Sequence, residues 1–303
     1  MKRGVLIIVF VLILFAGEFF LRIGLGFTDA VLFQENLYME YLAEPNQDRH
    51  RFGNSIRYNE YSMRSEPLRG ESRRILGIGD SVLNGGVLCD QEALATYLLE
   101  RKFLRDSDQP IQVLNISAPS WGPDNAMAYL NKFGDFDAEL VFLVTSSHDA
   151  YDIMDFSPVV GINKNYPSHQ YSLAYEEAIE RYLLPRLSRI LKSKKEAGGF
   201  GNSKNDKVFN KGFQDIFNYT QKHEIPFILY LHPELSEVRK GNYNKKGKLI
   251  LEFAQKNNID IVTGLEGARD DHYLDNIHLN ERGQQYLFEQ LYPILKKIIL
   301  SEN

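Results

Sequence analysis

One cysteine and one tryptophan are all that this 303-residue chain has of either residue. The lone Cys89 excludes an intrachain disulfide and a cysteine-based metal cluster. It leaves the compartment open, since oxidising compartments also hold proteins without bridges. A strong charge of one sign is lacking too. A net charge of −5 and a pI of about 5.9 give bulk electrostatics no argument for nucleic acid. No repeat with a period of about 20–50 residues is visible. A clean cleavage site is also missing. Where a small-x-small signal would follow the N-terminal apolar stretch, Phe19, Phe20 and Leu21 stand instead.

That apolar stretch begins after Lys2 and Arg3. Residues 5–17 are uncharged, Glu18 interrupts, and 19–27 resume with Arg22 inside. A spanning helix needs about 20 mostly apolar residues, so residues 4–27 qualify only if Glu18 and Arg22 are tolerated. Four apart on one helical face, the two can pair or snorkel to the far interface. The favoured reading is an uncleaved signal anchor at 1–27, single-pass in the cytoplasmic (inner) membrane with its positive end inside. The rest of the chain would then be periplasmic or extracellular. A cleaved signal peptide and a buried core helix are the alternatives. Residues 28–66, rich in Tyr, Asn and Glu, read as a juxtamembrane linker packed on a domain at 67–303.

Within that domain short apolar runs alternate with helical patterns. Strands are expected at 75–78, 113–116, 140–144, 227–231 and 259–262. Helices are expected at 92–104, 124–133, 173–192, 208–223, 246–257 and 280–299. This alternation predicts an α/β fold with a mainly parallel five-stranded sheet and helices on both faces. Its ligands are expected outside the carboxyl ends of the strands. An insertion at 152–207 breaks the rhythm. It has a loop rich in Pro, Gly, Asn and Tyr, a helix, and a polar patch at 192–207. It reads either as a substrate lid or as surface decoration. Lys192–Lys195 reads as a solvated helix end.

The first strand runs straight into Gly79-Asp80-Ser81, with Gly85 and Gly86 soon after. A strand that stops in a tight turn before a helix is where folds present a nucleophilic serine. Such a serine needs a base, and the base needs an orienting carboxylate. Asp275-Asn276-Ile277-His278, just ahead of the last helical pattern, offers both from one turn. Asp-x-x-His alone is a common chance spacing, and His278 alone could merely neighbour a helix cap. With Gly-Asp-Ser on an α/β domain, the pair gains weight.

These blocks resemble those of the SGNH/GDSL hydrolases. Gly79, Asp80, Ser81 and Gly85 match the family's Gly-Asp-Ser-x-x-x-Gly, and Asp275 and His278 match its Asp-x-x-His. The likeness covers about residues 54–300. It implies a flavodoxin-like three-layer α/β/α fold, a serine esterase or O-acyltransferase working through an acyl-Ser81 intermediate, and no cofactor or metal. Residues 58–64 resemble the Asn-x-x-Gly-x-Arg segment of membrane-anchored bacterial members, with Ser62 in the glycine position. The helix at 173–187 looks like members of exopolysaccharide loci. The resemblance therefore implies an acylated carbohydrate or polysaccharide as substrate, and polysaccharide-assembly machinery as a possible partner. The middle blocks depart from the pattern. Ser120 stands where a glycine usually lends its N–H to the oxyanion hole beside that of Ser81. His148 stands where an asparagine usually donates. His148 has three readings: a substituted donor, a binding residue, or a mark of lost activity. Asp149 reads as a structural hydrogen-bonding residue. Trp121, beside Gly122, is expected either to stack on a sugar ring or to pack. His232 reads as a loop residue, and Asp270, Asp271 and His272 as a solvated acidic turn rather than metal ligands. A non-catalytic, membrane-tethered carbohydrate-binding protein on the same scaffold is the rival reading.

Overall fold

The computed structural model describes residues 2–191, 203–204 and 208–300. The expectations for 192–207, including Lys192–Lys195, lie outside the described residues except at Ser203 and Lys204. Helix α1 (Lys2–Leu25) is long and hydrophobic enough to cross a membrane, with a hydropathy of 2.8 over Arg3–Leu25. The linker folds into two antiparallel hairpins. One is β1 (Phe33–Asn36) with β2 (Glu40–Ala43), the other β3 (Gln47–Arg51) with β4 (Asn54–Tyr58). Phe33, Tyr41, Leu42, Ile56 and Tyr58 are buried in the same core cluster as the main sheet.

The sheet uses β5 (Arg73–Gly79), β6 (Ile111–Ser117) and β7 (Leu140–Ser146). Beyond the insertion, where β8 (Asp152–Ile153) pairs with β9 (Ser203–Lys204), come β10 (Phe227–His232) and β11 (Asp260–Thr263). Spatial order is β6-β5-β7-β10-β11, all parallel. This is the flavodoxin-like order, whose switch point lies between the first and third strands of the sheet, β5 and β7. Every residue of β6, β7 and β10 is buried. Helices cover both faces, so β7 and β10 read as nearly continuous apolar runs, while β6 also buries Gln112, Asn115 and Ser117.

Helices α2 (Ser81–Asn84), α3 (Ala95–Asp106) and α4 (Pro123–Phe133) follow the first strands. The insertion carries α5 (Ala174–Glu177) and α6 (Leu184–Leu191), joined by a π-helical turn at Ala178–Leu183. Then come α7 (Gly212–Lys222), α8 (Leu235–Val238), α9 (Lys245–Lys256) and α10 (Glu281–Ile299). Residues of α3 and α10 pack one face of the sheet; those of α4, α7 and α9 pack the other. The expected boundaries shift for local reasons. Leu94 is extended, so the pattern from residue 92 splits into a 3₁₀ turn and α3. The Asn210 side chain accepts the Gly212 N–H at 2.7 Å and delays the start of α7 to that residue.

Candidate active site

The serine turn is built from residues with little alternative. A Cβ on Gly79 would stand 2.8 Å from the Val144 carbonyl oxygen, so β5 reaches β7 here only as glycine. Asp80 then caps α2, its Oδ1 accepting the Val82 N–H at 2.8 Å. Gly85, at φ +71°, ends the helix by donating to the Ser81 carbonyl at 3.0 Å. A Cβ there would also meet Leu94 at 2.5 Å. Two buried side chains hold the turn from outside. Asn84 donates to the Ser117 carbonyl at 2.9 Å. Arg64, from the linker, donates to the carbonyls of Asn84 (3.2 Å), Gly86 (2.5 Å) and Cys89 (3.1 Å). Arg64 ends the 58–64 segment. There Asn59 Oδ1 accepts the N–H groups of Tyr61 and Met63, both at 3.0 Å, and Ser62 takes φ +62°. A left-handed φ is why glycine suits that position.

The other half of the site is a narrow loop closed by the Tyr273–Leu279 antiparallel bridge. Asp275 Oδ1 accepts the N–H groups of Ile277 and His278, each at 2.8 Å, in an Asx-type turn. That turn leaves Oδ2 2.7 Å from His278 Nδ1. His278 Nε2 stands 3.0 Å from Ser81 Oγ. Burial would push the Asp275 carboxyl up. The His278 ring and the two backbone donors outweigh it and hold the carboxyl below its ordinary range. The two blocks that resemble those of the SGNH/GDSL hydrolases, Gly79-Asp80-Ser81 and Asp275 to His278, thus meet in space.

His232, which reads from the sequence as a loop residue, supports the His278 loop. His232 is the last residue of β10, is buried, and its Nε2 lies 2.9 Å from the Ile277 carbonyl oxygen. Burial pulls its pKa down to about 3. The ring is therefore neutral at ordinary pH, and its Nε2–H can donate to the carbonyl beside His278. Two further contacts brace the same loop. Leu235 N–H donates to the Asn276 carbonyl at 2.8 Å, and Tyr273 O–H to that of Pro233 at 2.7 Å.

Ser81, Asp275 and His278 line one cavity of about 490 Å³. The linker adds Val31, Phe33, Arg51 and Phe52 to its wall, and the insertion adds Asn165, Tyr166, Arg181 and Tyr182. The insertion therefore forms a wall of the site and is more than surface decoration. Ser120 lines the cavity too, at φ +60°, the conformation for which glycine is favoured. Trp121 and Gly122 do not line it. The Trp121 ring is buried and its Nε1–H donates to the Tyr41 carbonyl at 3.0 Å, which satisfies its one polar group inside the core. Gly122 precedes α4 and donates to Asn125 Oδ1 at 2.8 Å. A Cβ there would lie 2.5 Å from the Asp152 carbonyl oxygen, so packing explains the glycine.

His148 also stands outside that wall. Its Nε2 faces Asp149 Oδ1 at 3.3 Å, Asp80 Oδ2 at 3.8 Å and Asp152 Oδ2 at 4.0 Å, and its Nδ1 faces Glu234 Oε1 at 3.9 Å. Burial and the neighbouring Asp149 push the Asp80 carboxyl well above its ordinary range. Asp149 is structural in its contacts: Oδ2 accepts Thr145 Oγ1–H at 2.8 Å and Ser146 N–H at 2.7 Å. Asp80, His148 and Asp149 present possible ligand atoms within 4.8 Å of one another. Asp270 and Asp271 pair with Arg239 (2.7 Å) and Arg282 (3.1 Å) on the surface.

No protein-family model and no curated protein matches the chain. Solved structures similar to it include an acetyl xylan esterase, AlAXEase (15% identity, 73% of this chain and 99% of that one, TM-score 0.47). Another is a two-domain esterase, CEX, active on acetylated mannans (12% identity, 77% and 51%, TM-score 0.48). A third is a lipase/acylhydrolase from Enterococcus faecalis (14% identity, 74% and 95%, TM-score 0.44). At these values they say nothing about what this chain acts on.

Proposed function

We propose that the chain is a membrane-anchored serine esterase or O-acyltransferase acting on acylated carbohydrate, with α1 as the anchor and the remainder periplasmic or extracellular. The observation that carries this is the Ser81–His278–Asp275 relay, at 3.0 Å and 2.7 Å, on the wall of a cavity. Asp275 accepts the Nδ1–H of His278, which leaves Nε2 free to take the Ser81 proton as Oγ attacks the ester carbonyl. The tetrahedral oxyanion is held by the N–H groups of Ser81 and Ser120. His148, turned toward carboxylates, is left out of that hole. Collapse breaks the ester C–O bond, and imidazolium returns the proton to the leaving alcohol. Water, or a sugar hydroxyl activated the same way, then cleaves acyl-Ser81. A cavity of about 490 Å³ is larger than an acetyl group needs, which favours room for an acceptor. The chemistry asks for neither metal nor organic cofactor.

The test is hydrolysis of p-nitrophenyl acetate by the full chain in detergent, with and without an acetylatable oligosaccharide. Turnover that Ser81→Ala abolishes is the expected result, and acetylated oligosaccharide would assign transfer. Equal rates for wild type and Ser81→Ala would favour the non-catalytic carbohydrate-binding reading.

A further inference from the structure

Glu18 and Arg22 are the two charges that break the apolar face of α1, and both find partners in the insertion. Glu18 pairs with Arg22 at 2.7 Å and accepts the N–H groups of Ala174 (2.8 Å) and Tyr175 (3.0 Å), first-turn donors of α5. Arg22 also donates to the Ser172 carbonyl, and Tyr175 O–H to the Leu14 carbonyl at 3.1 Å. Gly17 makes room for that ring: a Cβ there would lie 1.8 Å from the Tyr175 hydroxyl. The insertion helix therefore begins alongside α1, between Leu14 and Arg22, and not beyond its end.

Depth follows from length. A hydrocarbon core of about 30 Å takes about 20 helical residues. The uncharged residues 5–17 cover only about 20 Å, so a span must continue past Glu18. Glu18 lies about 10 Å before Leu25 along the helix. The start of α5 is thus below the level at which α1 leaves the bilayer.

From that start an apolar stripe runs outward. Ile179, Leu183, Leu184 and Leu187 are 44–52% exposed; Leu183 follows Ile179 by four residues, and Leu187 follows Leu183 by four and Leu184 by three. Leu173, at the junction with α1, is exposed as well. The opposite face of the same helix holds buried Glu177, and Arg181 and Tyr182 of the cavity wall. Single exposed leucines are ordinary, but a stripe continuous with a span has a nearby solvent to match it.

We infer that the insertion helix at 174–191 is a second membrane contact. Its stripe lies in the leaflet against lipid, and its other face keeps one wall of the Ser81 cavity at the bilayer surface. This rests on the reading of α1 as a span.

The full chain, reconstituted in phosphatidylethanolamine–phosphatidylglycerol vesicles, tests it. Single cysteines at Leu184→Cys, Leu187→Cys, Ile13→Cys and Lys222→Cys would carry an environment-sensitive fluorophore. Native Cys89 stays unlabelled, being buried with its thiol pushed up to about 12. Lipids brominated high on the acyl chain should quench labels at 184 and 187 at least about half as strongly as at 13, and leave 222 bright. Quenching at 13 with iodide access at 184 and 187 would overturn the second contact and leave the anchor standing. An unquenched label at 13 would overturn both. Labels at 184 and 187 shielded from lipid and iodide alike would mean that protein, such as a second copy, covers the stripe, and would overturn the proposal too.

Discussion

At position 148, where the resemblance implies an asparagine donor, an imidazole stands among carboxylates. The His148 Nε2 is directed at these carboxylates, 3.3 Å from Asp149, 3.8 Å from Asp80 and 4.0 Å from Asp152, and not at the Ser81 cavity. His148→Ala is therefore expected to keep the rate of fluorophosphonate labelling within a few-fold while lowering the melting temperature. An oxyanion donor would instead cost about 10²–10³ in rate. At position 120 the backbone, not the side chain, is the point. Ser120 holds φ +60°, so Ser120→Gly should relieve strain and raise stability by about 0.5–1 kcal/mol in urea unfolding, with the labelling rate retained. Ser81, Asp275 and His278 were legible in the sequence because each sits in a short turn with its own local signature. His232 was not, because its role depends on the Ile277 carbonyl 45 residues away.

Between elements, a buried charge cluster lies where the linker, the insertion and the end of α1 meet. Arg51 and Glu177 form a fully buried pair at 2.5 Å. Glu177 also accepts the Thr28 N–H and an Arg181 N–H, both at 2.6 Å. Arg51 donates to the Gly26 carbonyl at 2.8 Å and stacks over Phe27 and Phe52. Removing one member strands the other charge, which typically costs about 3–5 kcal/mol. Glu177→Ala should show a loss of that order in detergent unfolding, together with faster proteolysis of the insertion. A loss below about 1 kcal/mol would mean that the pair is solvated. None of this was legible from composition. The linker was read as packing on the domain, but its two hairpins and the reach of Arg64 to the serine turn arise from contacts distant in sequence. Ser62 in a glycine position was a visible clue, and its φ of +62° gives the clue a meaning.

For the whole molecule, alternation of buried strands with helices was enough to read the parallel sheet, since strands covered on both faces carry no competing polar signal. Strand order depends on pairings distant in sequence, such as β5 with β7, which no local pattern records. The anchor was ambiguous because Glu18 and Arg22 look costly in a span. Their bonds to Ser172, Ala174 and Tyr175 lower that cost. The full chain is expected to remain in the membrane fraction after a carbonate wash; recovery of a soluble form starting near residues 24–28 would contradict the anchor. The central claim is that Ser81 is a nucleophile activated by His278. Intact-mass analysis after reaction with a serine-directed fluorophosphonate tests it most directly. The account predicts one adduct per chain, located on Ser81 and absent from Ser81→Ala; an unlabelled wild type, or equal labelling of the variant, would contradict it.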